Sequence, residues 1–109
     1  MDLTAKKCVP CEGGVQPLEK EKAAEYLKQL GPGWETDGKK ITKRYRFKDF
    51  AEAMGFVNKV AEVAEAEGHH PDIHIEGWNK VRIVLFTHAI KGLHENDFIV
   101  AAKIDGLAR

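Results

Sequence analysis

Apolar residues at Leu18, Ala23, Tyr26, Leu27 and Leu30 fall among strong helix formers, and Gly31-Pro32-Gly33 stops the run. A first helix over Pro17 to Leu30 is predicted. The pattern then changes period. Trp34 to Thr36, Asp37-Gly38, and Lys39 to Phe47 read as a hairpin, because Asp-Gly supplies the positive φ angles of a tight turn. Within its second strand Ile41, Tyr45 and Phe47 share one parity, while Thr42, Arg44 and Arg46 take the other.

Asp49 followed by Glu52 has the spacing of a helix capping box, and Gly68 suits a left-handed C-terminal cap. A second helix over about Phe50 to Glu67 follows. It carries two apolar stripes, Phe50, Met54, Val57, Ala61 and Ala64, and Ala53, Phe56, Val60 and Val63. A sheet covers one stripe, and in so small a domain the other is expected to meet another subunit.

Asp72 to Glu76 and Lys80 to Thr87 predict a second hairpin around Gly77, Trp78 and Asn79, with Ile73, Ile75, Val81, Ile83 and Leu85 toward the core. Glu95 to Asp105 predicts a third helix, with Gly106 behind it. The expected fold is α+β: a four-stranded antiparallel sheet with three helices packed on one face, in the order α-β-β-α-β-β-α. Residues 1–16 read as an irregular arm and 17–109 as a single domain.

The chain has 109 residues, the size of one ordinary domain. Seventeen basic residues balance seventeen acidic ones, so no broad field attracts nucleic acid or acidic membranes. The near-neutral surface mildly favours self-association. Unbroken aliphatic and aromatic runs such as Ile83 to Phe86 are far too short to span a bilayer, and Met1 to Pro10 lacks a secretory pattern. A soluble, cytoplasmic protein is expected.

All five histidines, His69, His70, His74, His88 and His94, fall within 26 residues. If the second hairpin turns between Glu76 and Lys80, antiparallel pairing matches positions whose numbers sum to about 155 or 156. His88 then lies near His69 and His70 at one edge of the sheet. Imidazole titrates near neutrality, so clustered histidines can divide acid and base roles, with Asp97 and Glu65 as candidate carboxylate partners. A metal site is disfavoured, because adjacent residues in extended chain point apart and no HExxH or HxH frame is present. His74 has surface parity, and His94 stands where a Ser or Thr cap is usual for a box closed by Asp97. Trp34 and Trp78 read first as core or hairpin aromatics, although either could flank a flat heteroaromatic ligand.

The string Glu65-Ala66-Glu67-Gly68-His69-His70-Pro71, followed by Trp78, His88 and Asp97 after six, nine and eight intervening residues, resembles the signature of the pterin-4a-carbinolamine dehydratases. The segments Tyr45 to Phe50 and Trp78 to Val81 are also similar to that family, and the likeness runs from about Leu18 to Ile104. It implies dehydration of a 4a-hydroxytetrahydropterin left by an aromatic amino acid hydroxylase, giving the quinonoid dihydropterin with no metal or organic cofactor. By the same resemblance His69, His70 and His88 match the catalytic histidines, and Asp97 the acid associated with them. Trp34 matches a pterin-contacting aromatic, and Glu65, Pro71 and Trp78 are the other candidate substrate-binding positions. His69 and His88 are assigned to proton transfer and His70 to positioning.

The resemblance also carries other readings. Animal members serve as dimerisation partners of a homeodomain transcription factor, so a non-catalytic coactivator is one alternative. A relative acting in another pterin pathway, such as molybdopterin metabolism, is a second. A homodimer or homotetramer is expected. The segment Cys8-Val9-Pro10-Cys11-Glu12-Gly13-Gly14 is similar to an extension of some microbial and plant relatives. Its two cysteines supply half of a zinc site, so a structural or incidental role is expected unless two chains share four thiolates.

Overall fold

A computed structural model describes residues 3–9 and 16–107. Three α-helices, α1 (Lys20–Lys28), α2 (Phe50–Glu67) and α3 (Glu95–Leu107), join four strands, β1 (Glu35–Thr36), β2 (Ile41–Arg46), β3 (Asp72–Glu76) and β4 (Lys80–Leu85). The order is the expected α-β-β-α-β-β-α. All pairings are antiparallel, and the sheet order is β1-β2-β4-β3. Each hairpin thus contributes its second strand to the centre, where Ile41 faces Leu85 and Tyr45 faces Val81.

The helices cover one face, burying Ile41, Val81, Ile83 and Leu85 under Ala23 and Tyr26 of α1, Ala53, Phe56 and Val60 of α2, and Phe98 to Ala102 with Ile104 of α3. Thr42, Arg44, Arg46, His74 and Arg82 lie on the other face, as alternation requires. Ile75 and Ile73 are less covered than predicted, because β3 is an edge strand with neighbours on one side only. Lys43 has core parity and is half-covered. Its ammonium meets Asp105 Oδ1 at 3.0 Å, above the rings of Trp34 and Tyr45.

Helix α2 begins and ends where the sequence predicts. Asp49 Oδ1 accepts the Glu52 N–H at 2.8 Å, and Gly68 closes the helix at φ 65°. Its inward stripe is Ala53, Phe56, Val60 and Ala64, so Ala64 changes sides relative to the predicted grouping. Phe50 stays 53% exposed and Met54 and Val57 are half-covered.

Several boundaries differ from expectation: α1 ends at Lys28, β1 starts at Glu35 and β2 spans Ile41–Arg46, each a little shorter than predicted. Helix α1 starts at Lys20 because the Leu18 N–H donates to the Leu93 carbonyl, drawing that segment into extended chain. Strand β4 ends at Leu85; Thr87 and Gly92 then form a bridge around a 3-10 turn, His88–Ile90. Helix α3 continues through Gly106 to Leu107. The arm also holds a 3-10 turn, Leu3–Ala5, with Leu3 buried in the main core. Pro10 and Cys11 lie outside the described residues, and so does the expectation for the Cys8/Cys11 pair.

Candidate active site

The hairpin register places 72 opposite 84 and 73 opposite 83, which sums to 156. The chain leaving α2 therefore returns beside the chain leaving β4. Gly68 makes that exit, and the His69 N–H bonds back to the Ala64 carbonyl at 3.2 Å, so His69 and His70 emerge side by side at the start of β3. The bridge between Thr87 and Gly92 holds His88 on the opposing segment. A cavity of about 620 Å³ opens between them, lined by His69, His70, Pro71 and His88 together with Thr87 and Phe86.

Each imidazole has a different environment. His69 is 12% exposed at its side chain, and its Nε2 lies 2.6 Å from Oδ1 of the fully buried Asp97. His70 is largely exposed, with Nε2 at 3.4 Å from Glu65 Oε1. His88 is exposed and leans on Phe86, with ring centroids 4.1 Å apart.

Asp97 is the best-connected group of the site. Its Oδ2 accepts the Thr87 hydroxyl at 2.9 Å and the His94 N–H at 3.0 Å, leaving Oδ1 for His69. The unusual helix cap is resolved by the same contacts. His94 Nδ1 accepts the Asn96 N–H at 3.0 Å while Asp97 reaches back to the His94 N–H, a capping box with imidazole in place of a hydroxyl. A buried carboxylate with three donors around it costs little to bury and cannot easily turn.

The remaining candidates lie elsewhere. Trp34 is buried, and its indole N–H donates to Asp105 Oδ1 at 2.9 Å near the far end of α3. Trp78 sits in the β3–β4 turn at φ 60° and is 65% exposed. Neither lines the cavity. His74 is a surface residue of β3 opposite Arg82. Among the described residues no group of three His, Cys, Asp or Glu side chains is arranged to hold a metal ion. No helix there is long and apolar enough to cross a membrane.

Several groups at the cavity carried no role in the sequence analysis. Thr87, Asn96 and Glu67 are polar residues at the ends of apolar elements, and Cys8 and Val9 reach the cavity from the arm. Burial, reinforced by the Glu67 carboxylate, pushes the Cys8 thiol up to about 12. Glu67 is held below the usual carboxylate range by hydrogen bonds from Lys103 and from the Cys8 N–H.

Residues 16–107 match the model of the family described as pterin 4 alpha carbinolamine dehydratase. A Halorhodospira halophila protein named for this dehydratase is 51% identical over 98% of both chains. The Arabidopsis thaliana protein named pterin-4-alpha-carbinolamine dehydratase 2, mitochondrial, is 47% identical over 97% of this chain and 59% of its own length. A crystal structure described as a transcriptional coactivator/pterin dehydratase from Brucella melitensis superposes with a TM-score of 0.78 at 35% identity, covering 86% of this chain and all of the other. With one family model spanning the whole helical and sheet region, the chain belongs to the pterin-4a-carbinolamine dehydratase family.

Proposed function

We propose that this chain is a hydro-lyase that dehydrates a 4a-hydroxytetrahydropterin to the quinonoid dihydropterin by histidine acid/base catalysis, in tetrahydropterin recycling for an aromatic amino acid hydroxylase. One observation carries the reading: imidazoles from two separate segments line one cavity, and one of them is tied to a buried carboxylate. At about 620 Å³ the cavity is within the range of small-molecule sites.

Two donors engage Oδ2 of Asp97, so Oδ1 serves His69 alone. An ionised carboxylate only accepts, which puts the His69 proton on Nε2 and leaves Nδ1 with a lone pair. His69 is then the base that takes the proton from a ring nitrogen of the substrate. The electron pair released forms the carbon–nitrogen double bond as the bond from C4a to the hydroxyl breaks. His88, exposed and able to exchange protons with water, delivers the proton with which the hydroxyl leaves as water. His70, tethered by Glu65, orients that hydroxyl, and Pro71 contributes to the wall beneath it. The protons taken and given balance, and solvent resets the two rings.

Stopped-flow decay of a 4a-hydroxypterin tests the reading. Wild-type protein should accelerate decay, and His88→Ala should lose about 10²- to 10⁴-fold of the catalysed rate. Because His88 is exposed, the variant should keep its fold. Equal rates with and without wild-type protein reject the activity, and an unchanged His88→Ala rate rejects the assignment.

The outer stripe of α2 supports self-association, since Phe50 leaves a large apolar ring in solvent beside Met54 and Val57. A homodimer or homotetramer is the state we assign.

A further inference from the structure

The arm is pinned to α2 and α3, the helices that also hold His69 through the exit at Gly68 and through Asp97. Leu3 is buried in the core, and the Lys6 ammonium pairs with Glu95 at the start of α3. The Cys8 N–H donates to Glu67 Oε1 at 2.8 Å, and Glu67 Oε2 accepts from Lys103 at 2.6 Å. Asn96, only 2% exposed, then grips both main-chain groups of Val9. Its Oδ1 accepts the Val9 N–H at 3.1 Å, and its Nδ2 donates to the Val9 carbonyl at 2.7 Å. The Cys8 thiol completes the clasp by donating to the Asn96 carbonyl at 3.6 Å.

These contacts fix what the arm offers a ligand. With both Val9 main-chain groups, the Cys8 N–H and the Cys8 thiol proton already bonded, the Cys8 carbonyl, its sulfur and the Val9 side chain remain to meet an occupant of the cavity that these residues line. The thiol is uncharged near neutrality, and Val9 is apolar and 57% exposed. The cavity therefore has two kinds of lining. Imidazoles and Asp72 can meet a polar edge, while Val9, Cys8, Pro71 and Phe86 can meet an apolar face. Asn96 is adjacent to Asp97, and Glu67 is two residues before His69, so the wall and the base share one rigid frame.

We propose that the anchored arm presents Cys8 and Val9 as a fixed wall of the substrate cavity, positioned by Asn96 and Glu67, and that these two residues set how tightly a planar bicyclic pterin is held. This rests on the dehydratase reading above. Asn96 and Glu67 are positioning residues, whereas Val9 and Cys8 touch the ring.

Two variants test the wall. Val9→Asp places a charge on an exposed position that the core does not need, and Asn96→Ala removes both bonds to Val9. Each is assayed for KM and kcat with a 4a-hydroxypterin, for Kd by fluorescence titration with oxidised biopterin, and for Tm. Both KM and Kd should rise roughly tenfold in each variant while kcat falls much less, because the interaction lost is made before and during the reaction alike. KM and Kd within twofold of wild type in both folded variants overturn the wall and leave the dehydratase reading standing. If Asn96→Ala is unfolded, Val9→Asp alone decides by the same criterion. Wild-type protein that neither binds nor dehydrates pterin overturns both.

Discussion

Oδ1 of Asp97 lies 2.6 Å from Nε2 of His69, a pair 28 residues apart in sequence that joins the start of α3 to the exit of α2. An amide at position 97 keeps the shape of the carboxylate, and its oxygen can still accept from Thr87 and His94. Its NH₂ group would then face His69, forcing Nε2 to accept and moving the ring proton to Nδ1. Asp97→Asn is therefore expected to lower kcat by about 10²-fold or more through the wrong tautomer, with near-normal circular dichroism. Wild-type kcat in this variant removes His69 from the role of base.

Acid should loosen the arm before it unfolds the domain. Glu67, bonded by Lys103 and the Cys8 N–H, and Glu95, bonded by Lys6 and Tyr26, are both held below their ordinary value of 4.5. The folded state binds these protons more weakly than the unfolded chain does. Their stabilisation is thus present above the unfolded carboxylate range and lost as pH falls through the lowered folded values. Hydrogen exchange should show the Cys8 and Val9 amides losing protection below about pH 4.5 while core amides of β4 stay protected. Simultaneous loss at both places contradicts this order.

Asp105 holds together the far end of the molecule. Its carboxylate, 12% exposed, accepts the Gly31 N–H at 2.8 Å, the Trp34 indole N–H at 2.9 Å and the Lys43 ammonium at 3.0 Å. Removing it strands three donors in poor contact with water. Asp105→Ala should cost about 3 kcal/mol of unfolding free energy. Chemical denaturation measures this directly, and a loss below about 0.5 kcal/mol means that water replaces the carboxylate without penalty.

Association through the outer stripe of α2 is tested by sedimentation. Wild-type protein at micromolar concentration should exceed the monomer mass, and Phe50→Asp should shift it downward. A wild-type monomer removes the interface.

Much of this was legible in one dimension because the signals are local. The Asp49 and Gly68 caps fix α2 through hydrogen bonds spanning three or four residues, and both stand where the pattern puts them. The turn around Gly77 set the register of β3 against β4, and that register directs the chain leaving β4 back toward 69 and 70, where the Thr87–Gly92 bridge holds His88. The late start of α1, at Lys20 rather than Pro17, and the early end of β4 were not legible. They depend on Leu18 meeting Leu93 and on Thr87 meeting Gly92, contacts with no periodic signature. Trp34 illustrates the same limit: its type allows a ligand platform, but Asp105, 71 residues away, engages its polar edge.

The sequence by itself determined the elements, their order and the cluster of imidazoles, because helix periodicity, strand alternation and turn chemistry act over a few residues. Only the tertiary structure decided that the two hairpins join through β2 and β4, that Asp97 is enclosed by Thr87, His94 and His69, and that Cys8 and Val9 line the cavity. Those outcomes follow from burying one shared apolar face. The polar groups carried inside with it had to find partners from remote segments, and which partners they found depends on packing in three dimensions.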